Sequence, residues 1–161
     1  MRIPTSVRRR LARLRRRRPQ ERKAPAVLQS SVVFRYDASF RIGGLGDVQD
    51  EIETLTGLKA TRAFRAGEPL GLRGSTRKES LWLLQSPLGE RASHDEHVNW
   101  LWTQIAPHKD QFRKLVQEAV WADVCLGCIS ESAYPVLSVE PSSLDIVREL
   151  RIGLAFNFTV S

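Results

Sequence analysis

The sequence predicts an α+β domain: one mainly antiparallel sheet with helices on one face, in the order β-α-β-β-α-β-β-α-β, whose first six elements fit a ferredoxin-like core. Three observations carry that expectation. Phe34, Tyr36, Ala38, Phe40 and Ile42 alternate strictly with Arg35, Asp37, Ser39 and Arg41, the period of a half-buried strand. Ser93 and Glu96 stand at capping-box spacing ahead of an apolar stripe of Val98, Leu101, Trp102 and Ile105. Such a pair opens an amphipathic helix because its hydroxyl and carboxylate satisfy the first free backbone amides. At the far end Leu154, Phe156, Phe158 and Val160 alternate with Ala155, Asn157 and Thr159, which reads as a closing strand.

The remaining elements follow in order. Gly43, Gly44 and Gly46 break the first strand, and Asp47 is placed to cap a short helix. Val48, Ile52 and Leu55 then recur at helical spacing until Gly57 supplies the stop. Thr61 to Arg65 reads as a second strand, and Gly67 to Ser75 as a loop holding three glycines and Pro69. Ser80 to Gln85 forms a third strand, with Leu81, Trp82, Leu83 and Leu84 suited to burial on both faces.

The stripe that starts after Ser93 continues in phase through Phe112, Leu115, Val116 and Ala119 despite Pro107. Proline removes one backbone donor and crowds the preceding turn, so a kinked helix or two nearly coaxial ones are expected. Asp123 to Ser130 is a fourth strand and Val136 to Val139 a fifth, joined as a hairpin. Pro141 and Ser142 introduce a helix with Leu144, Val147 and Leu150 on one face. The Gly57-Leu58 and Gly153-Leu154 pairs suggest two related β-α-β halves.

Charge divides the 161 residues unevenly. The chain carries +7 overall, but residues 1 to 26 hold eleven Lys and Arg against Glu21 alone, or +10. Residues 27 to 161 hold 14 basic against 17 acidic residues, or −3. The basic character therefore belongs to a leader, expected to be disordered over residues 1 to 30 because it has too few apolar residues to bury itself. A single α+β domain occupies residues 31 to 161. Pro19 to Lys23 follow the arginines where an export signal needs roughly 7 to 15 apolar residues, so export is not expected. No stretch reaches the roughly 20 apolar residues of a membrane span, and two cysteines do not make a disulfide scaffold. A cytoplasmic location is expected.

Candidate chemistry is sparse. Cys125 and Cys128 have C-x-x-C spacing, but positions three apart on a strand point to opposite faces, and no second pair completes a zinc site. His94 and His97 share a helix surface with Asp95 and Glu96; near a helix start they read more simply as solvated capping-turn groups than as metal ligands. No metal or other cofactor is expected. Arg62, Arg65, Glu68, Arg73, Arg77 and Lys78 surround the glycine-rich loop, where cations could receive an anion, although neither phosphate-loop spacing occurs. A solvated, mobile loop is the plainer reading. Trp82 and Trp102 lie in apolar stretches suited to core packing, whereas Trp100, beside Asn99, is a candidate exposed contact residue. No Ser-His-Asp order or nucleophile elbow is present.

The run Ala38-Ser39-Phe40-Arg41-Ile42, the Ile52 to Leu58 helix ending in Gly-Leu, and Thr61-Arg62-Ala63-Phe64-Arg65-Ala66-Gly67-Glu68 resemble a bacterial family, domain of unknown function 4279. The likeness continues through Trp82, Ser86-Pro87-Leu88, the His97 to His108 helix and the closing strand. It covers roughly residues 33 to 160 and implies a small cytoplasmic bacterial protein, with no reaction, cofactor or catalytic residue transferred.

The leading expectation is a non-catalytic protein-binding module, for example an immunity-type protein that neutralises a toxin. Its contact surface is placed at Arg62, Arg65, Glu68 and Arg73 together with Trp100. One alternative is a nucleic-acid or ribosome-associated protein that uses the leader as a phosphate-seeking arm, with affinity falling steeply in salt. The other is a small anion-binding or enzymatic domain, which requires Arg62, Arg65, Glu68 and a histidine to converge in one pocket.

Overall fold

The central strand of the sheet is also the first among the described residues. In the computed structural model, which describes residues 34–71, 74–131 and 137–160, β1 (Phe34–Gly43) is flanked on both sides by antiparallel neighbours. The described residues belong to one unit, Val32–Ser161, and the Arg-rich leader expected over residues 1 to 30 lies outside them. β3 (Leu81–Gln85) pairs with one side of β1 and β4 (Trp121–Ser130) with the other. β2 (Arg62–Phe64) lies beyond β3, and β5 (Gly153–Val160) beyond β4, giving the order β2-β3-β1-β4-β5.

Register turns the alternation of β1 into a core. Phe40 faces Leu84 and Val124 across the sheet, Ile42 faces Trp82, and Ala38 faces Leu126, so all of these side chains emerge on one face. Three helical segments close over that face: α2 (His94–Ile105), α3 (Lys109–Glu118) and α4 (Asp145–Leu150). They supply Val98, Leu101, Ile105, Phe112, Leu115, Ile146 and Leu150 to the same cluster. At its centre the Phe112 ring meets Phe40 edge-on at 5.5 Å and Trp82 at 5.9 Å. The opposite face of the sheet carries the polar residues of β1: there Arg41 donates from Nε and Nη2 to the two carboxylate oxygens of Asp123, both at 2.7 Å, directly across the β1/β4 ladder.

The capping box forms as expected. The Glu96 amide donates to Ser93 Oγ at 3.2 Å, and the Ser93 amide donates to Glu96 Oε2 at 2.7 Å. Pro107 breaks the long apolar stripe at a 3₁₀ turn, Ala106–His108, between α2 and α3. The first helix, α1 (Glu51–Thr56), follows a 3₁₀ turn, Gly46–Asp50. Asp47 therefore lies inside that turn instead of capping the helix from outside. Gly57, with φ of 72°, ends α1 in the left-handed conformation. No described helix is long and apolar enough to cross a membrane.

Two expectations need correction. The fifth strand expected at Val136 to Val139 is not formed at Leu137 to Val139, and Val136 lies outside the described residues. β4 has two sides; β1 takes one, and β5 runs parallel along the other from Asp123 to Ser130. A hairpin partner has no side left. Val139 instead packs against the core, and the Glu140 amide donates to Asp95 Oδ1 at 2.9 Å at the start of α2. The segment thereby becomes part of the helical crossover that a parallel pair requires.

The two β-α-β halves, expected over Phe34 to Phe64 and Val136 to Val160, also differ in build: β1, α1 and β2 form in the first, with β3 lying between its two strands, whereas the second has no opening strand at Leu137 to Val139. The sheet is mostly antiparallel with helices packed against it, as expected. A ferredoxin-like arrangement is not established in detail, because β2 has three residues, α1 has six, and a parallel strand extends the sheet beyond β4.

Candidate functional site

Where β2 leaves the sheet, the glycine-rich segment folds back on itself. The Gly67 amide donates to the Arg77 carbonyl at 2.9 Å, and the Arg77 amide donates to the Glu68 carbonyl at 2.9 Å. Further out, the Leu70 amide reaches the Ser75 carbonyl at 2.6 Å, and Pro69 and Thr76 form an antiparallel bridge. Among the described residues, the two legs of this loop are joined by backbone hydrogen bonds and form an arm. Gly67 sits at φ of 84°, a turn conformation that a Cβ would strain. The guanidinium of Arg77 stacks 3.5 Å from the centre of the Phe64 ring, an attraction between cation and ring quadrupole. Phe64, Leu70, Ser75, Thr76, Arg77, Lys78 and Glu79 line a cleft of about 480 Å³. Leu70 is 48% exposed there.

The residues singled out from the sequence are only partly brought together. Arg62 lies opposite Leu83, which in turn lies opposite Arg41, and so belongs to the polar face of the sheet. Arg65 forms an ion pair with Asp50. Glu68 is exposed and contributes its backbone to the arm. Arg73 lies outside the described residues. Trp100 is half-buried on α2 and packs against the core, on the other side of the sheet from Arg62. It is one helical turn from the buried His97, which brings it beside the apolar face and leaves it half-buried where an exposed position was expected.

The histidines differ more sharply from expectation. His94 is 4% exposed and His97 is 0% exposed, so neither is a solvated capping group. The first turn of α2 rests on the sheet, and its polar groups find partners inside. His94 Nε2 donates to the Gly127 carbonyl at 2.9 Å, and its ring tilts against Tyr36 at 4.6 Å. His97 Nδ1 bonds Ser86 Oγ at 3.0 Å, and its Nε2 is buried. Burial holds the His97 imidazole below its ordinary pKa, with the charge of Asp37 opposing that shift. These contacts tie α2 to β1, β4 and the segment just past β3, and set both histidines on the core side of the sheet. Arg62 is on the other, so the convergence required for an anion pocket is not made by these groups.

Cys125 and Cys128 emerge on opposite faces, opposite Ser39 and Tyr36 respectively, as the spacing predicts. Both are free, and burial pushes both thiols above their ordinary pKa. Among the described residues no three His, Cys, Asp or Glu side chains gather to hold a metal.

A family model described as Domain of unknown function (DUF4279) matches residues 34–161. The chain belongs to this family. No curated protein and no solved structure matches it. The match begins at the first residue of β1, so the arm, the histidine-bearing helix and β5 all lie within the DUF4279 domain.

Two further regions of this DUF4279 domain were not singled out from the sequence. A cleft of about 590 Å³ beside α3 and α4 is lined by Arg113, Val116, Gln117, Glu149, Leu150 and Arg151. Arg113 donates to the Glu149 carbonyl at 2.9 Å and to its carboxylate at 2.7 Å, and Lys109 donates to the same carboxylate at 3.3 Å. These cations tie the two helices together. The second region is β5, whose alternation reads as a buried strand. Phe156, Phe158 and Val160 are instead 49%, 51% and 60% exposed, with the two rings stacked at 6.2 Å. The signal in the sequence is the lack of any charge from Gly153 to Val160, which is unusual for an outer strand.

Proposed function

We propose that this DUF4279 chain is a protein-binding module whose contact surface is the arm between β2 and β3. Its partner presents an acidic segment with an apolar side chain. The observation that carries the reading is Leu70, an exposed leucine beside Phe64 in a cleft rimmed by Arg77 and Lys78. Protein contacts favour an apolar centre with a polar rim, and the two hydrogen-bonded legs of the arm supply both.

Charge supports the choice of partner. Residues 62 to 79 hold five cations and two acids, whereas residues 27 to 161 hold 14 basic and 17 acidic residues. The arm is thus a basic site on a mildly acidic body, and complementary charge raises the rate of encounter and selects against wrong partners. A bacterial cytoplasm suits the two free, buried thiols.

The test is affinity capture with the full chain, beside Leu70→Asp and Lys78→Glu variants whose thermal unfolding matches wild type. The reading expects a protein bound in stoichiometric amount by wild type and lost with Leu70→Asp. A partner retained by both variants overturns it. So does binding that is confined to nucleic acid and disappears when residues 1 to 26 are deleted.

A further inference from the structure

The outer edge of β5 has no strand partner among the described residues. It is eight residues long and carries no charge. Natural sheet edges are ordinarily shortened, charged or interrupted by proline, because a long uncharged edge pairs with other chains. Half-exposed Phe156 and Phe158 lie on the face of β5 that continues the core side of the sheet, since they pair in register with Leu126 and Cys128. An uncharged, aromatic edge of this kind calls for a strand of matching pattern.

The strand itself has that pattern. From Leu154 to Val160 the sequence is nearly palindromic about Asn157: Phe156 mirrors Phe158, Ala155 mirrors Thr159, and Leu154 mirrors Val160. We infer that two copies of this chain associate through β5, antiparallel, about a two-fold axis passing between their Asn157 residues. In that register each Phe156 lies opposite the other copy's Phe158 and each Leu154 opposite its Val160. Ala155 meets Thr159, and the two Asn157 side chains meet each other on the polar face.

On the core side every cross-strand pair then joins side chains of like character, aromatic to aromatic and aliphatic to aliphatic, the combinations that stabilise antiparallel ladders. Strand neutrality matters equally, because self-pairing about a two-fold axis sets each residue near its own kind or its mirror position, where charge would repel. Two-fold dimers of this isologous form are the commonest protein oligomers. The inference uses the sheet edge opposite the arm and is independent of the binding function proposed above.

The axis gives a register-specific test, because only residue 157 faces itself. The full-length wild-type chain should sediment as a concentration-dependent dimer. Asn157→Lys and Asn157→Glu, each alone, should weaken the dimer at least about tenfold through like-charge apposition. An equimolar mixture of the two should restore it as a heterodimer, a rescue that misfolded chains cannot give. Asn157→Cys provides a second reading: it should close an intermolecular disulfide on mild oxidation, whereas Ala155→Cys, which meets Thr159, should not.

A wild-type chain that is monomeric at all accessible concentrations overturns the inference and leaves the arm reading standing. It is equally overturned by a dimer indifferent to both charges, which puts the interface elsewhere, or by folded variants that fail to recombine. Loss of the arm's partner in Leu70→Asp with the dimer intact would remove the arm reading alone.

Discussion

The two edges of this sheet are built in opposite ways. The β2 edge is three residues long, carries Arg62, and runs directly into the arm, where Arg65 pairs with Asp50 and Arg77 covers Phe64. The β5 edge is eight residues long, with neither a charge nor a proline. A short, charged edge resists pairing with other chains, and a long neutral one invites it. The same fold thus has one side shaped to refuse a strand and another shaped to accept one. The arm draws on side chains and their charge, whereas β5 offers mainly backbone and apolar surface.

The largest expected effect separates the middle of the sheet from its β5 edge. Phe112 is fully buried between Phe40 and Trp82, so Phe112→Ala should lower stability by about 3–5 kcal/mol, combining lost transfer energy with a cavity. Phe158 is half-exposed on the same side of the sheet, and Phe158→Ala should lower the stability of the monomer by at most about 1 kcal/mol. Urea unfolding at low protein concentration measures both. Equal losses would mean that β5 is as deeply packed as the centre and would break the comparison between edge and interior.

Much of this architecture is legible in the sequence because local signals and tertiary packing agree. The alternation of β1, the Ser93 capping box, the break at Pro107 and the stop at Gly57 each act within a few residues, and each appears where expected. The expectation fails where a segment's role depends on which neighbour has already occupied a position. Val136 to Val139 has strand-like composition, but β5 holds the free side of β4. His94 and His97 read as surface groups until Gly127 of β4 and Ser86, just past β3, supply partners. Phe156 and Phe158 alternate as a buried strand does, and nothing local reveals that β5 is outermost. Charge alone draws attention to Arg62, Arg65 and Glu68, whereas the exposed Leu70 and the Arg77 stack on Phe64 depend on the chain folding back.

Intermediate effects probe how the central strands hold the two edges together. Arg41 and Asp123 exchange two hydrogen bonds with 28% and 17% side-chain exposure. Arg41→Ala leaves the Asp123 carboxylate half-buried without its cation and should cost about 1–2 kcal/mol, allowing for partial solvent screening. The loss should appear as a shift in the urea midpoint with little change in slope.

His97 adds a pH dependence of known sign. Its pKa is lowered from the ordinary 6.5 in the folded protein, so the unfolded chain binds the additional proton first. The contribution of the neutral imidazole is therefore complete above about pH 6.5 and declines as pH falls from there through the lowered folded value. His97→Gln cannot titrate, so the stability difference between wild type and variant should shift in favour of the variant on acidification from pH 7 to 5. A difference independent of pH would show that His97 is not held neutral by its burial.

The smallest expected effect on stability bears most directly on what the arm does. Arg65 and Asp50 are 50% and 54% exposed, and exposed ion pairs contribute about 0–1 kcal/mol because water and salt already screen them. A double-mutant cycle of Arg65→Ala and Asp50→Ala should give a coupling below about 1 kcal/mol, falling further in high salt. Lys78→Ala, at the rim of the cleft, should leave the unfolding midpoint within about 0.5 kcal/mol of wild type, as surface substitutions ordinarily do. Cations that contribute so little to folding can be removed one at a time without loss of the arm's backbone hydrogen bonds. If the arm steers an acidic partner, Lys78→Ala should slow association and flatten its salt dependence while changing dissociation much less. A rim charge that instead altered folding and left association untouched would make the arm a structural guard on β2, and the two edges would then differ in how they are protected without differing in what they bind.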